Sequence, residues 1–374
     1  MPERVALLLD DLLGGGAARV AAHLAGAWAE QGREVTVFTT DDGSVAPLYQ
    51  LSSAVAHRPL ALRGDSRSAG EAAVHNALRV LRLRRALRAS RPELLISFLD
   101  TNNILGLLAT RGMARMPTII SERSDPFGRT LTPGWERLRR WTYPWAGCLV
   151  TQSAHAMGYF APGIRAKGRV IPNPVVPLPC LGPASPPAGP RRQVVTVGRL
   201  HQVKGHDLLI DAFAAVAGLC PDWDLVIHGE GSERPALEAR IRALGLGSRI
   251  TLPGASDQVG ARLREASLFV LPSRVEGFPN ALAEAMASGL PVISFACPSG
   301  PAELIRDGVD GVLVPAGAVP GLAGAMARLM QAPDERASLA ARAPEVLTRF
   351  SLERILGLWE EAIQQVRRDP GGRP

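Results

Sequence analysis

Lysine is nearly absent from this chain: Lys167 and Lys204 are its only two, and arginine supplies almost all of the 42 basic residues. Aromatic residues make up only 5%, with three tyrosines, too few for the stacking surfaces on which nucleic-acid readers rely. No stretch reaches the roughly 18 uninterrupted apolar residues of a membrane-spanning helix. Cys148, Cys180, Cys220 and Cys297 stand far apart and form no C-x-x-C pair, so buried thiols in a reducing compartment are expected. The histidines show neither H-x-x-x-H nor H-E-x-x-H spacing, and His201 and His206 would not share a helix face. No protein-built metal site is expected. The first residues run straight into a strand-like VALLLD without the regions of a signal peptide, so the chain is expected to be cytoplasmic.

What is present begins with an uneven charge. Residues 1–180 hold 22 Arg/Lys against 14 Asp/Glu, while the remainder holds 20 against 21. A basic first half beside a neutral second half implies an anionic surface or ligand on one side, although a general bias toward arginine would also raise the isoelectric point to its value near 9.9. At 374 residues the chain exceeds one ordinary core, and two domains are expected.

The order of apolar runs gives those domains a class. Val5–Leu9, Val35–Thr39, Leu94–Phe98, Thr118–Ser121 and Cys148–Thr151 read as short strands separated by helical patterns. After a proline-rich stretch at 176–191, the same rhythm resumes with Val194–Val197, Leu225–His228, Ile250–Leu252, Leu268–Leu271, Val292–Phe295 and Val312–Val314. Alternation of this kind marks parallel α/β sheets. Two Rossmann-like, doubly wound domains are therefore expected at 1–175 and 192–350, joined by the 176–191 linker, with a helix at 351–368 packing back on the first. Ligands in such folds sit at the carboxyl ends of strands.

Three constellations carry chemistry. In the second half, Leu271 ends a strand, Glu276 stands in the following loop, and a helix starts near Asn280 with Glu284 about one turn inside. A helix N-terminus offers free N–H groups and a positive dipole end, which suits a diphosphate. Two flanking carboxylates can accept hydrogen bonds from vicinal hydroxyls, one from a ribose and the other from a hexose. A surface glutamate pair drawn to the helix start by its dipole alone is the competing account. Gly198-Arg199 through Lys204 again follows a strand, and two fixed cations there can neutralise charge growing on a departing diphosphate. Gly14–Gly16 follows the first strand, but the dinucleotide fingerprint fails because Arg19 occupies its last position. Close backbone approach to a ligand and an ordinary turn are both open for this cluster.

Together these residues resemble glycosyltransferase family 4, a retaining family with the GT-B fold. Glu276 to Glu284 is similar to its E-x7-E motif, Arg199 and Lys204 to its diphosphate-binding pair, and Gly14–Gly16 to its first-domain glycine loop. Further resembling stretches are Ile171-Pro-Asn173-Pro, His228-Gly-Glu-Gly231, Ile250-Thr-Leu-Pro-Gly254 and Ser299-Gly-Pro-Ala-Glu303. The run from Ser294 to Pro315, with Ser121–Pro126, looks like the branch that builds bacterial exopolysaccharide, O-antigen or lipid-linked oligosaccharide. The resemblance implies metal-independent transfer of a hexose or N-acetylhexosamine from a nucleotide diphosphate sugar, UDP-linked, with no cofactor beyond that co-substrate. Glu276, Arg199 and Lys204 would be catalytic. Glu284, Gly15, Gly16, Phe278, Pro279, Asn280, Ala281, Leu282, Gly254 and Glu230 would bind the donor. Where many relatives carry a histidine this chain has Ser121-Glu122-Arg123, so Glu122 or Arg123 would substitute for it.

On the acceptor side, Asn103 follows a strand end and is expected to face the ligand with Glu122 and Arg123. Arg137, Arg139 and Arg140 interleaved with Trp141, Tyr143 and Trp145, and the arginines Arg79, Arg82, Arg84, Arg85 and Arg88, suit an anionic membrane or a glycolipid or oligosaccharide acceptor; a solvated arginine-rich face is the alternative. Peripheral attachment to the inner face of the cytoplasmic membrane is expected. Two other classes compete: a nucleotide-sugar epimerase or NAD-dependent oxidoreductase, and a polyanion-binding module suggested by the basic isoelectric point. Nucleic acid is not an expected partner, since no recognised motif for it appears.

Overall fold

A computed structural model of the chain describes residues 4–64, 68–113, 116–128, 131–178, 192–256 and 258–368. It divides into two compact units, one formed by Met1–Asn173 with Leu352–Pro374 and the other by Pro174–Ser351. Cys180, and the proline-rich stretch from 179 onward to 191, lie outside the described residues.

The first unit is built on seven strands: β1 (Arg4–Leu9), β2 (Glu34–Thr39), β3 (Val55–Pro59), β4 (Leu94–Phe98), β5 (Thr118–Ser121), β6 (Cys148–Thr151) and β7 (Gly168–Val170). They pair in the order β3-β2-β1-β4-β5-β6-β7, and every pairing is parallel. The inner strands are continuous apolar runs because helices cover both faces of such a sheet. Leu94–Phe98 and Cys148–Thr151 are buried at every position. The expected strands all appear; β3 and β7 are additions. Both are edge strands, and Val-Ala-His-Arg-Pro and Gly-Arg-Val bury little and lack an apolar run to betray them.

The second unit repeats the plan with β8 (Arg192–Val197), β9 (Trp223–His228), β10 (Ile250–Gly254), β11 (Leu268–Leu271), β12 (Val292–Ala296) and β13 (Val312–Pro315). Their order is β10-β9-β8-β11-β12-β13, again with parallel pairings. In each unit the first strand therefore lies third from one edge, and the chain reverses its direction of travel across the sheet between that strand and the fourth (β1 and β4, β8 and β11). At such a point the crossover helices leave toward opposite faces and open a crevice beyond the strand ends.

The C-terminal helix Leu352–Arg368 belongs to the first unit. Ile355, Trp359, Ala362, Ile363 and Val366 recur at helical spacing and are buried in one core with Val5, Leu7, Trp28 and Phe98. Trp359 meets Trp28 edge-on at 6.3 Å. Arg33 grips Glu360 through two bonds of 2.7 and 2.9 Å, and Arg169 donates to Gln365 at 2.8 Å. The helix is thus fixed by an apolar stripe with a polar bond on each flank.

Candidate functional site

The crevice of the second unit lies beyond β8 and β11, and the motif residues gather there. The loop after β8 carries Gly198, Arg199 and His201, then a single turn Gln202–Lys204. Lys204 reaches across to the loop after β11, where its Nζ lies 2.7 Å from Glu276 Oε1. Ser273 donates to the same carboxylate oxygen at 2.6 Å. Glu276 is almost wholly buried while Lys204 keeps about a quarter of its side chain exposed, so the ammonium stands at the solvent side of the pair. Glu276's second oxygen has no bond to a residue in the described chain beyond these contacts to Oε1.

Close backbone approach makes this pairing possible. Gly205 adopts φ +65°, and a Cβ there would lie 2.1 Å from the Pro272 carbonyl oxygen. The loops after β8 and β11 touch at that point. Gly229, at φ +154°, likewise meets the Gly198 carbonyl, where a Cβ would stand 1.9 Å away. Only glycine accepts both the torsion and the contact. His206 fastens the β8 loop from beneath. Its Nε2 lies 3.2 Å from the Arg199 carbonyl, which can only accept, so Nε2 donates. Burial drives this imidazole down to about 4, and it is neutral at physiological pH. The side chain of Arg199 is exposed and has no ion pair among the described residues.

The loop after β11 leads into the helix Asn280–Ala287. Its N-terminus has no side-chain cap and no acidic residue in the first turn, so the positive end of its dipole is left for a ligand. Phe278 and Leu282 are buried in the core of this unit, which holds the start of the helix in place. Glu284 is also buried, on the second turn. Gly254 and Glu230 are neighbours at the ends of β10 and β9: a Cβ on Gly254 would lie 3.1 Å from Glu230 Oε1. Glu230 itself pairs with Arg234 at 2.7 Å.

Four further residues at this end of the sheet carry no site role in the sequence reading, although Cys297 is expected as a buried thiol and Ser299 and Glu303 lie in a resembling stretch. Ser273, three positions before Glu276, orients the carboxylate, and its spacing was the one available signal. Ser299 Oγ donates to the Gly277 carbonyl at 3.2 Å, tying the loop after β12 to the site. Burial, and secondarily the charge of Glu276, pushes the Cys297 thiol up to about 12, which makes it unreactive. Glu303 lies in the first turn of the short helix Pro301–Leu304, and burial alone raises its carboxyl to about 7. A strongly shifted acid beside a crevice is a functional candidate, and only three-dimensional burial reveals it. Among the described residues no group of three or more His, Cys, Asp or Glu could hold a metal ion.

The residues named in the first unit divide differently. Gly15 starts the helix Gly15–Glu30 at φ +83° with open space where a Cβ would be, and Gly16 follows it beyond the end of β1. Asn103 does not face a ligand. It is fully buried, bonded to the Ser121 carbonyl and Tyr143 hydroxyl at 3.2 Å, and accepts from Ser97 at 2.8 Å. One residue is a third of a helical turn, and it is Asn102 that points along β1. Glu122 accepts from the buried Tyr143 hydroxyl. Arg123 donates to the Ile171 carbonyl at 3.3 Å and to Asn173 at 3.0 Å, and sits over Phe98 and Trp359. Burial lowers its guanidinium to about 9. These three side chains are ties within the first unit rather than an open acceptor surface.

The arginine-rich helix Ala69–Ser90 is also reapportioned. Arg79 holds the Leu62 and Gly64 carbonyls at 2.6 and 3.0 Å, and Arg84 caps the helix Asp100–Thr110 through the Ala109 carbonyl at 2.8 Å. Arg82 bonds the Ala61 carbonyl at 3.2 Å. Only Arg85 and Arg88 are left outward, beside the exposed Val74, Leu78 and Leu81. Around Trp141, which is exposed, Arg139 turns inward to Glu136 and Tyr159.

Two parallel Rossmann-like units with this strand order define a GT-B glycosyltransferase fold. In agreement, a solved Anabaena protein, Alr3699/HepE in complex with UDP and glucose, matches with a TM-score of 0.78 at 20% identity over 97% of this chain and 99% of that one. Residues 14–177 match the family model Glycosyltransferase Family 4, and residues 191–332 match Glycosyl transferases group 1. The chain belongs to glycosyltransferase family 4. Among curated relatives, an exopolysaccharide phosphotransferase, SCO2592, of Streptomyces coelicolor is 36% identical over 57% of this chain and 22% of its own length. An alpha-1,4-N-acetyl-D-galactosaminyltransferase of Campylobacter jejuni, named for an undecaprenol-diphosphate-linked acceptor, is 29% identical over 76% of this chain and 78% of its own.

Proposed function

We propose that this protein transfers a hexose or N-acetylhexosamine, with retention and without a metal ion, from a UDP-sugar to a lipid-linked or polysaccharide acceptor in bacterial surface-glycan synthesis. The observation that carries this reading is the 2.7 Å pair of Lys204 and Glu276 in front of an uncapped helix start. The diphosphate sits against that helix start, with Lys204 and Arg199 supplying two positive charges. Glu284 accepts from the ribose hydroxyls, and Glu276 from the transferred sugar. In the reaction the bond from the anomeric carbon to the diphosphate oxygen breaks, and the acceptor hydroxyl oxygen attacks on the same face. Its proton passes to the departing phosphate oxygen. Negative charge grows on the diphosphate as the bond opens, and fixed cations stabilise it without reorganisation. The HepE complex with UDP and glucose supports UDP as the nucleotide, and the galactosaminyltransferase supports a lipid-linked acceptor.

The same reading has the enzyme work at the cytoplasmic membrane face. Val74, Leu78 and Leu81 expose one apolar stripe on the helix Ala69–Ser90, and Arg85 and Arg88 continue it; apolar and basic residues together suit an anionic bilayer. No described helix is long and apolar enough to cross a membrane. The test is product formation from a panel of UDP- and GDP-sugars in EDTA, with the anomeric configuration read by proton NMR. A retained anomer made in EDTA supports the proposal, and an inverted anomer or a strict divalent-ion requirement refutes it.

A further inference from the structure

The helix Pro133–Thr142, the turn Tyr143–Trp145 and the helix Pro162–Arg165 of the first unit border a cavity of about 940 Å³. This is near the upper end of the roughly 300–1,000 Å³ range of pockets that hold small molecules. Its walls include Tyr143, Pro144, Phe160, Ala161, Ile164 and Ala166. Tyr143 stacks on Phe160 with ring centroids 5.9 Å apart, and Tyr159 meets Phe160 edge-on at 5.3 Å. The rings are thereby committed to one another, and the small Ala161 and Ala166 leave the space beside them unfilled. An apolar cavity of this kind holds water poorly and accepts hydrocarbon.

The charge at this cavity is of one dominant sign. Among the described lining residues, Arg139, Arg140 and Lys167 stand against one acid, Glu136. Both arginines donate to Glu136. Arg139 is buried, with its guanidinium over the rings of Tyr159 and Phe160 at 4.6 and 5.9 Å. Arg140 instead keeps 79% of its side chain exposed, and the Lys167 ammonium lies 3.3 Å from the Pro144 carbonyl. Positive charge therefore stands at the solvent side, above an apolar interior.

Two features place this cavity at a lipid boundary. Trp141, next to Arg140, is exposed and meets Trp145 edge-on at 4.6 Å, while Arg111 covers the Trp145 ring at 4.4 Å. Tryptophan with one apolar face and one wet edge, beside basic residues, suits the interface of a bilayer. In addition, the helix Pro133–Thr142 packs on Asp100–Thr110, which packs on Ala69–Ser90. The cavity and the exposed stripe of Val74, Leu78 and Leu81 thus belong to one helical layer. Pro144 and Lys167 come just before β6 and β7, at the amino ends of those strands. The crevice opens at the carboxyl ends, so the occupant is neither sugar donor nor reacting hydroxyl.

We infer that this cavity takes one acyl chain of an anionic phospholipid, with the lipid phosphate held by Arg140 and Lys167. The inference deepens the membrane reading above and rests on it, but through a different surface from the exposed stripe. Isothermal titration of the whole protein with monomeric decanoyl and dodecanoyl lysophosphatidylglycerol, below their micelle concentrations, tests it. Lysophosphatidylcholine of the same chains and glycerol phosphate serve as probes of headgroup and chain. Saturable binding of one lysophosphatidylglycerol per chain is expected, strengthened about fifteenfold by the two added methylenes, at roughly fourfold each. Lysophosphatidylcholine should bind roughly fivefold or more weakly, and glycerol phosphate not at all. Ala166→Trp, which fills the cavity, should weaken binding by about tenfold or more. Arg140→Glu, an exposed change that leaves the core intact, should do so by roughly fivefold or more and carries the test if the first variant melts early. Equal affinity for the two lipid headgroups overturns the site, as do folded variants that bind as wild type does. Flotation with vesicles of phosphatidylglycerol separates the two failures: a protein that floats but binds no monomeric lipid loses only the cavity, and one that does neither loses the membrane reading as well.

Discussion

At the residue scale, the proposed function rests on a carboxylate with a cation on one oxygen. Glu276 is buried, and burial of an unpaired carboxylate would be costly; Lys204 and Ser273 offset that cost at 2.7 and 2.6 Å. They also fix the direction in which the rest of the carboxylate faces. Glu276→Ala is expected to lower turnover on the order of a hundredfold or more while nucleotide affinity changes only slightly, because its proposed partner is the sugar. Steady-state kinetics with a parallel UDP titration checks this, and unchanged turnover would refute the role. Gly205→Ala forces a Cβ against the Pro272 carbonyl at 2.1 Å, and a strained torsion of this kind costs about 1–3 kcal/mol. Its melting temperature should fall, and activity with it, because Lys204 precedes it. Glu303 adds a pH signature. Its folded value of about 7 lies above the ordinary 4.5, so the folded state holds the proton more tightly. The destabilisation from its charge is absent below the unfolded value, grows between the two, and is complete above about 7. Glu303→Gln should therefore melt higher than wild type at about pH 8 and equal to it at about pH 4. A difference independent of pH would contradict the assignment.

At the scale of elements, the helix Leu352–Arg368 shows how much of this fold can be read from the chain alone. A helix at 351–368 packing back on the first domain is expected from the sequence, and the structure packs its buried face on β5 and β6 with Trp359 against Trp28 and Phe98. Trp359→Ala should cost about 3–5 kcal/mol, as for other buried tryptophans, measured by chemical denaturation. The inner strands are legible because burial on both faces demands unbroken apolar runs, whereas β3 and β7, being edges, need no such run. The E-x7-E spacing and the Arg199–Lys204 spacing are legible because each follows a strand end. Ser273 and Glu303 are not, since a hydroxyl's partner and a carboxyl's burial arise only from packing between loops. The Asn102–Asn103 pair marks the limit most sharply: strand-end position selects the segment, but helical phase decides that Asn102 meets Asp10 after β1 while Asn103 ties to Ser121 of β5. The arginines of Ala69–Ser90 are similar. Their abundance suggests a charged face, yet Arg79, Arg82 and Arg84 serve as donors to backbone carbonyls.

At the scale of the whole molecule, two sheets share one strand order and each opens a crevice where that order reverses. The second unit fills its crevice with cations and a helix start, which suit a diphosphate. The exposed stripe of Val74, Leu78 and Leu81 adds a third surface. Leu78→Glu with Leu81→Glu is expected to reduce binding to anionic vesicles by roughly tenfold or more, measured by flotation, without lowering UDP affinity. The central claim is that a nucleotide's diphosphate is gripped by Arg199 and Lys204 before the helix Asn280–Ala287. Isothermal titration of UDP into the wild type and into the Arg199→Ala, Lys204→Ala double variant tests it most directly. Two charge-assisted contacts are lost in the variant, and the expected weakening is on the order of a hundredfold; a folded double variant that binds UDP as tightly as wild type would contradict the account.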